Sequence, residues 1–213
     1  HEATISPDGA KVAVLRTVGP NLILDWNQPE KQVVLDGHKN AQSIEFSADG
    51  RRLATSTWKG QGVWISDALT GQVARKLSGV DGSARVAFSA DGRWLGTSEP
   101  TGYQIWDADG ERVHKTMSGQ GTEIPGAMAF APNGEFVALS AGQGDVRLVE
   151  LPGGRELATL SAPQASLVEY LSFTPDGKQI AVSMAGAVQF WDLVAVRRQL
   201  AHLKLDWDAP AYS

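Results

Sequence analysis

Cysteine is absent from the 213 residues, which excludes disulfides, thiol catalysis and thiolate metal sites. The absence is also typical of a reducing compartment, so we expect a cytoplasmic protein. No apolar run is long enough to span a bilayer and no signal-peptide pattern opens the chain, so we expect no membrane insertion. Because the first residue is His1 rather than Met, we expect the sequence to be a piece of a longer chain.

Positive charge is scarce and scattered. The formal net charge is −5, and basic residues occur singly or in pairs such as Arg51-Arg52. A nucleic-acid surface needs a concentrated basic face, so we expect no nucleic-acid partner. Hydrophobic residues make up 42% of the chain and charged residues 20%, a composition that predicts a packed core rather than disorder.

The chain contains instead a repeated pentapeptide. FSADG occupies 46–50 and again 88–92, and the related ISPDG, FAPNG and FTPDG begin at positions 5, 130 and 173. The five copies are 41, 42, 42 and 43 residues apart. A near-constant period in this range indicates one supersecondary unit repeated along the chain.

Each of the first four units is predicted to form four short strands, and the fifth to form three. The stretch before the pentapeptide alternates in polarity, as at Ile44 and Phe46, which is typical of a strand with one buried face. The pentapeptide predicts a hairpin turn that ends in a glycine with positive φ. The structural glycines of the last four units are Gly50, Gly92, Gly134 and Gly177. Three further strands per unit, with turn residues between them, predict the four-stranded antiparallel blade of an all-β β-propeller.

The third strand is aligned by counting from the turn glycine. Fourteen residues after the five glycines stand Ile23, Trp64, Trp106, Leu148 and Trp191. We expect the side chains at these positions to pack between neighbouring blades, and we call this strand position the packing slot. The next residue is acidic only in Asp107 and Asp192, so we expect the other three units to have lost the acid.

These residues resemble the WD-repeat family, specifically its bacterial branch, in which the first hairpin turn reads F-S-P-D-G. The resemblance spans residues 1–192, and we place the repeats at about 1–37, 38–79, 80–121, 122–163 and 164–192. The family's Gly-His dipeptide occurs once, at Gly37-His38, where the resemblance implies a structural hydrogen bond from His38. Because the family's buried Asp-His-Ser/Thr-Trp network cannot be completed, we expect apolar packing to hold the blades, with few buried polar contacts.

The fifth unit lacks a fourth strand after Trp191-Asp192. We therefore expect the repeats to be part of a seven-bladed ring, with a five-bladed ring as the alternative. In the tail, 193–213, Leu193 and Leu200 lie at helical spacing with Arg197 off their face, which predicts a short amphipathic helix capping the last blade. The alternative is a docking element for a following helical domain.

The tail also resembles that of large bacterial multidomain proteins, many of which carry a serine/threonine kinase domain upstream. No kinase motif occurs within these 213 residues. The four histidines have no partners at metal-ligand spacing, and no serine lies in a nucleophile elbow. We therefore predict no catalytic, cofactor-binding or metal-binding residue, and no cofactor.

The loops between second and third strands remain as a binding surface for a protein or peptide. Trp58 and Tyr103 are the aromatic candidates there, and Arg85, Glu99 and Tyr170 are weaker ones. The alternative for Trp58 is that it packs over its own blade. The leading prediction is a non-catalytic interaction scaffold within a larger bacterial regulatory protein, with a kinase as one context. The alternatives are a propeller enzyme or metal-dependent hydrolase domain, and a purely structural spacer.

Overall fold

The computed structural model describes residues 2–37, 41–57, 61–119, 123–163, 165–204 and 206. The chain divides into two compact units, His1–Gly126 and Ala127–Ser213. Both are built from antiparallel sheets whose strands pair in chain order. Antiparallel neighbours need only short connections, which is why turn residues recur along the sequence.

The first unit contains three four-stranded sheets. Sheet 1 consists of β1 (Ala3–Ile5), β2 (Lys11–Val14), β3 (Asn21–Asp25) and β4 (Gln32–Leu35). Sheet 2 consists of β5 (Ala41–Phe46), β6 (Arg52–Thr57), β7 (Val63–Asp67) and β8 (Val73–Lys76). Sheet 3 consists of β9 (Arg85–Phe88), β10 (Trp94–Glu99), β11 (Gly102–Asp107) and β12 (Val113–Ser118).

The second unit contains two sheets and a helix. Sheet 4 consists of β13 (Met128–Phe130), β14 (Phe136–Ser140), β15 (Asp145–Glu150) and β16 (Glu156–Ser161). Sheet 5 consists of β17 (Val168–Phe173), β18 (Gln179–Met184) and β19 (Ala187–Asp192), and α1 (Leu193–His202) follows it. The predicted all-β class with propeller blades and a C-terminal helix is confirmed. The number of blades in the ring and the domain boundaries stay predictions.

The pentapeptide turns are closed by a repeated side-chain clamp. In sheet 2 the Ser47 hydroxyl donates to the Asp49 carboxylate at 2.6 Å and accepts the backbone N–H of Arg52 at 3.0 Å. Gly50 follows with φ +68°, and the glycines in the other four turns take similar values. The hydroxyl hydrogen bond lowers the pKa of Asp49, and the pKa of Asp8 and Asp176 is lowered in the same way. A positive φ favours glycine, so all five turns use the residue that ends the pentapeptide.

The third-strand acid is present in all five sheets, so the prediction that three units lost it is wrong. Strand register places Trp106 opposite Leu95 and Trp191 opposite Ile180, as counted. In sheet 2, however, Ser66 rather than Trp64 lies opposite Leu53. Counting failed because the loops before the third strand differ in length. The residues that follow the slot in the five sheets are Asp25, Asp67, Asp107, Glu150 and Asp192.

In four of the five sheets this acid caps the turn or helix that follows it, and in sheet 4 Glu150 pairs instead with the Arg155 guanidinium. The Asp67 carboxylate accepts the backbone N–H groups of Leu69 and Thr70 at 2.9 and 2.8 Å, and these hydrogen bonds lower its pKa. Asp192 accepts the N–H of Ala195 at 3.0 Å and so caps the start of α1. The acids of the repeat are therefore structural.

Trp64 has a different role from the one predicted. Its indole Nε1 donates to the Gln61 carbonyl at 2.9 Å, and a Cβ on Gly37 would overlap its ring. Gly37 has φ +111°, so a glycine is needed there on both counts. His38, the predicted structural hydrogen bonder next to it, lies outside the described residues.

Each sheet has two faces, which we name from sheet 2. We call the face that carries Phe46 and Leu53 in sheet 2 the leading face, and the face that carries Ala54 and Ile65 the trailing face. The leading face of sheet 2 packs with Ala13 and Ile23 of sheet 1 in one buried cluster. The same arrangement joins the trailing face of sheet 2 to the leading face of sheet 3, and sheet 4 to sheet 5. Apolar packing between blades is therefore as predicted.

Buried hydroxyls also join neighbouring segments, which corrects the expectation of few buried polar contacts. Ser56 donates to the Ala84 carbonyl at 2.5 Å and Ser98 to the Gly126 carbonyl at 2.8 Å, and both serines are fully buried. Trp106 Nε1 donates to the Thr97 hydroxyl at 3.1 Å, also buried. These hydrogen bonds satisfy polar groups that would otherwise be costly inside an apolar interface.

The helix packs on sheet 5 but buries an arginine. Leu193 is fully buried and Leu200 packs against the same cluster, as the helical spacing predicts. Arg197 was expected off this face, yet it is buried as well. Its guanidinium pairs with the Asp206 carboxylate through Nε at 3.0 Å and Nη2 at 3.1 Å. The paired charge can be buried where an isolated one could not.

Candidate partner-binding surface

The two ends of each sheet differ in how strictly they repeat. The turn between the first and second strands has five residues in all five sheets, from 6–10 to 174–178. At the opposite end, the loop between the second and third strands has two residues at 100–101 but six at 15–20. We call this second end the loop end. Variation concentrated at one end of a repeating scaffold is typical of a binding surface.

The structure shows neither aromatic candidate, Tyr103 or Trp58, as an exposed residue of a loop. Tyr103 lies in β11 and is fully buried, so its predicted place in an exposed loop is wrong. The two-residue loop 100–101 is too short to keep Tyr103 outside the sheet, since β11 already begins at Gly102. Trp58 lies outside the described residues.

Arg85 and Glu99 do lie together at the loop end of sheet 3. Arg85 begins β9 and pairs with Ser98 across the sheet, next to Glu99 at the end of β10. Both side chains are half-buried. Glu99 Oε1 accepts the backbone N–H of Gly82 at 3.2 Å, so the carboxylate also holds the segment that enters β9.

Tyr170 lies on a different surface. It is in the first strand of sheet 5, where it pairs with Ser183 and is 66% exposed. Its side chain therefore belongs to the trailing face of that sheet rather than to a loop. The expected placement of Tyr170 on the loop end is wrong, although its exposure leaves it accessible to a partner.

A pair of carboxyls at the first strands of the first unit was not predicted from the sequence: Glu45 lies in β5, and Glu2 directly precedes β1. These strands, β1, β5 and β9, lie side by side. Burial raises the pKa of Glu45 in β5 to about 7, and repulsion from Glu2 adds to the rise. Loss of solvent also raises the pKa of Glu2, against the lowering effect of the Arg85 guanidinium. We call Glu2, Glu45 and Arg85 the first-strand cluster.

The one sequence feature that could have indicated this cluster is a glutamate within an apolar stretch. Glu45 stands between Ile44 and Phe46, and a half-buried strand places such a residue on the opposite face from its neighbours. That face is covered in sheet 2, because Ala54 opposite Glu45 packs with sheet 3. The burial of the carboxyl could not be read without knowing this packing.

The described residues show little that could support metal chemistry. Within the described ranges, no group of three or more His, Asp or Glu side chains is placed to hold a metal ion. The aspartates of the pentapeptide turns each accept a hydrogen bond from the hydroxyl of their own turn. Among the same residues, no helix is long and apolar enough to cross a membrane.

Two segments of the chain, residues 29–61 and 154–192, match the family model described as WD domain, G-beta repeat. These two matches support the WD-repeat family. The second match begins just before the fourth strand of sheet 4 and ends with the third strand of sheet 5. The sequence repeat is thus offset by one strand from the sheet. Among curated proteins, none matches the chain.

Proposed function

We propose that this chain is a non-catalytic scaffold that binds a protein or peptide partner at the loop ends of its sheets. The observation that carries the proposal is the contrast between the two ends of the sheets. The turn between the first and second strands has the same length in all five sheets and four of the five share the same hydroxyl clamp, while the loops between the second and third strands differ in length and sequence. WD-repeat domains typically bind proteins, which supports this assignment.

Arg85 and Glu99 are the residues we propose for the partner contact in the first unit. They place opposite charges next to one another at the end of sheet 3, where a polar partner can pair with both. Trp58 remains a candidate from the sequence alone. Tyr170 is proposed as a contact on sheet 5, separate from the loop end.

The wider context is also a proposal. The F-S-P-D-G type of turn and the tail sequence support a place in a larger bacterial regulatory protein, with a serine/threonine kinase as the upstream domain. The lack of cysteine supports a cytoplasmic location. The raised pKa of Glu2 and Glu45 is accounted for by burial, with repulsion from Glu2 adding at Glu45, so the first-strand cluster does not by itself favour the enzyme alternative.

Site-specific photo-crosslinking tests the proposed surface. A benzophenone amino acid replaces Val18 in the loop between β2 and β3, or Leu69 in the turn after β7, and both side chains are exposed. In extract of the cells that make the protein, we expect a discrete crosslinked protein from position 18 and none from position 69. Adding Arg85→Ala should weaken the position 18 product at least tenfold, while the matched Arg51→Ala should not.

Equal products from positions 18 and 69 would contradict the loop end as the binding surface. A sharp product that is insensitive to Arg85→Ala would keep the scaffold role but remove Arg85 from it. No product at either position would contradict the scaffold function itself.

A further inference from the structure

The pentapeptide turn of sheet 4 differs from the other four turns in two side chains. It begins with Ala131 and carries Asn133 before its glycine, whereas the other turns begin with serine or threonine and carry aspartate. In those four turns the hydroxyl donates to the carboxylate at 2.5–2.6 Å. Ala131 has no hydroxyl to donate, so the turn of sheet 4 lacks this closing contact.

Asn133 is also the one asparagine of the chain that is followed by glycine. Glycine has no side chain that would hinder the approach of its backbone nitrogen to the side chain before it. The other asparagines in the described residues, Asn21 and Asn27, are followed by leucine and glutamine. Among these three, Asn133 is therefore the amide that a backbone nitrogen reaches with the least hindrance.

The Asn133 amide lies at the surface beside Glu135. Its Oδ1 accepts the backbone N–H of Glu135 at 3.1 Å, and its Nδ2 donates to Glu135 Oε2 at 2.8 Å. Both side chains are exposed, so water reaches the amide carbon. The N–H of Gly134, however, donates to the Ala131 carbonyl at 2.8 Å. The Gly134 nitrogen can therefore react only when the turn opens.

We propose that Asn133 is a site of spontaneous deamidation in the folded protein, through a cyclic imide formed with the backbone nitrogen of Gly134. The Gly134 nitrogen attacks Cγ of Asn133 and gives its proton to water. The Cγ–Nδ2 bond breaks, and the amide nitrogen takes up a proton from water and leaves as ammonia. A second water molecule adds to either imide carbonyl and opens the ring, which gives aspartate or isoaspartate. No group is oxidised or reduced.

The aspartates of the other turns are protected from the same ring closure. A carboxyl can close the ring only in its protonated form, because an ionised carboxylate has no suitable leaving group. The hydroxyl hydrogen bond holds the pKa of Asp8, Asp49 and Asp176 below its usual value, so these carboxyls stay ionised at neutral pH. The neutral amide of Asn133 has no such protection, and its turn opens more easily without the clamp.

The products change the turn as well as the charge. Either product adds one negative charge at position 133. Isoaspartate also inserts one carbon atom into the backbone before Gly134, which displaces its N–H from the Ala131 carbonyl. The turn joins β13 to β14, and β13 has only three residues, so we expect the first strand of sheet 4 to loosen. This site is independent of the loop-end binding proposed above.

Peptide mapping by mass spectrometry, after incubation of the folded protein in neutral buffer, tests the proposal. Asn133 should exchange its amide for an acid roughly tenfold faster than Asn27, because Gly134 leaves its nitrogen unhindered. Asn27 is exposed in the turn after β3 and serves as the internal control. Fragmentation of the modified peptide should show both aspartate and isoaspartate.

Ala131→Ser tests whether the missing hydroxyl controls the reaction. In sheet 3 the equivalent Ser89 hydroxyl accepts the backbone N–H of Trp94 at 2.9 Å, so the new hydroxyl should hold the turn closed. Deamidation in the folded protein should then slow about twofold to fivefold, because it proceeds from the open turn. Ala74→Ser, at an exposed position in β8, is the matched control and should leave the rate unchanged. In denaturant all three proteins should react at the same rate.

Three results would overturn the proposal. Asn133 that stays intact in the folded protein but reacts in denaturant shows that the Gly134 hydrogen bond protects the turn. Equal rates at Asn133 and Asn27 remove the role of Gly134. An Ala131→Ser protein that is folded by circular dichroism and reacts as fast as the wild type shows that the missing hydroxyl does not control the site.

Discussion

Sheets 3 and 5 share one sequence pattern but differ in burial. Both place a Trp-Asp pair at the same distance from the turn glycine, and the tryptophans occupy the same register position. Tyr103 and Ile105 in sheet 3 are fully buried, whereas their counterparts Val188 and Phe190 are mostly exposed. The repeated pattern therefore specifies strands and turns, while burial depends on whether a neighbour covers each face.

The tryptophans should show the largest effect of this difference. Trp106 is 3% exposed and hydrogen-bonded to Thr97, so Trp106→Ala should lower the free energy of unfolding by about 3–5 kcal/mol. Trp191 is half-buried and its indole donates to Gln189 of its own strand, so Trp191→Ala should cost roughly half as much. Denaturant unfolding followed by circular dichroism measures both values. Equal losses of unfolding free energy in the two variants would contradict the difference in burial between sheets 3 and 5.

Glu45 tests burial on a covered trailing face. Its raised pKa means that folding favours the protonated acid, so its contribution to stability is present at acid pH and is lost as pH rises to about 7. Glu45→Gln should therefore stabilise the protein at pH 8 by about 2–3 kcal/mol and leave it nearly unchanged below pH 4.5. Unfolding free energies across this pH range measure the effect.

The matched control for Glu45 is Ser172→Glu on sheet 5. Ser172 has the same register position, but its trailing face is exposed. The introduced carboxylate should keep an ordinary pKa and add no pH dependence between about pH 5 and 8. A pH dependence in this variant as large as that of Glu45 would show that burial by a neighbour is not the cause.

Ser98 and Ser183 form a third matched pair. Ser98→Ala leaves the buried Gly126 carbonyl without its donor and should cost about 1–2 kcal/mol of unfolding free energy. Ser183, at the same register position in sheet 5, is only half-buried, so Ser183→Ala should cost a few tenths of that at most. Thermal melts that rank the two variants in the opposite order would contradict a shared role set by burial.

The smallest expected effect concerns the turn, which does not depend on a neighbouring sheet. Sheet 4 has Ala131 where sheets 3 and 5 have Ser89 and Thr174, and so lacks the hydroxyl of the clamp. Ala131→Ser should supply it and raise the free energy of unfolding by about 0.5–1 kcal/mol. Denaturant midpoints would reveal a loss instead if the hydroxyl were buried without its partners.

Much of the fold could be predicted because the turn is local. Residues such as Ser47, Asp49 and Gly50 close their turn by hydrogen bonds to each other and to the adjacent backbone. The pentapeptide sequence is therefore sufficient to predict the conformation of the turn. The third-strand alignment failed where loop length intervened. Two extra residues shifted Trp64 out of the slot and hid the acid Asp67, and counting along the sequence cannot detect this.

The candidate surface was less predictable because it depends on packing between strands far apart in sequence. The sequence around Tyr103 predicts a loop. The loop between β10 and β11 has only two residues, however, so Tyr103 lies in β11 and its side chain is buried. Arg197 looked like a solvent-facing charge until its pairing with Asp206 accounted for its burial. Tyr170 and Glu45 show the same limit, since their exposure follows from which sheet face has a neighbour.

Amide hydrogen exchange in β11 and β19, at a concentration where the protein is monomeric, tests the central claim most directly. The account predicts that amides of 187–192 exchange at least tenfold faster than those of 102–107, because β19 has one paired side and an uncovered face. Equal protection of the two strands would contradict it, since the third strand of sheet 5 would then be covered like its counterpart in sheet 3.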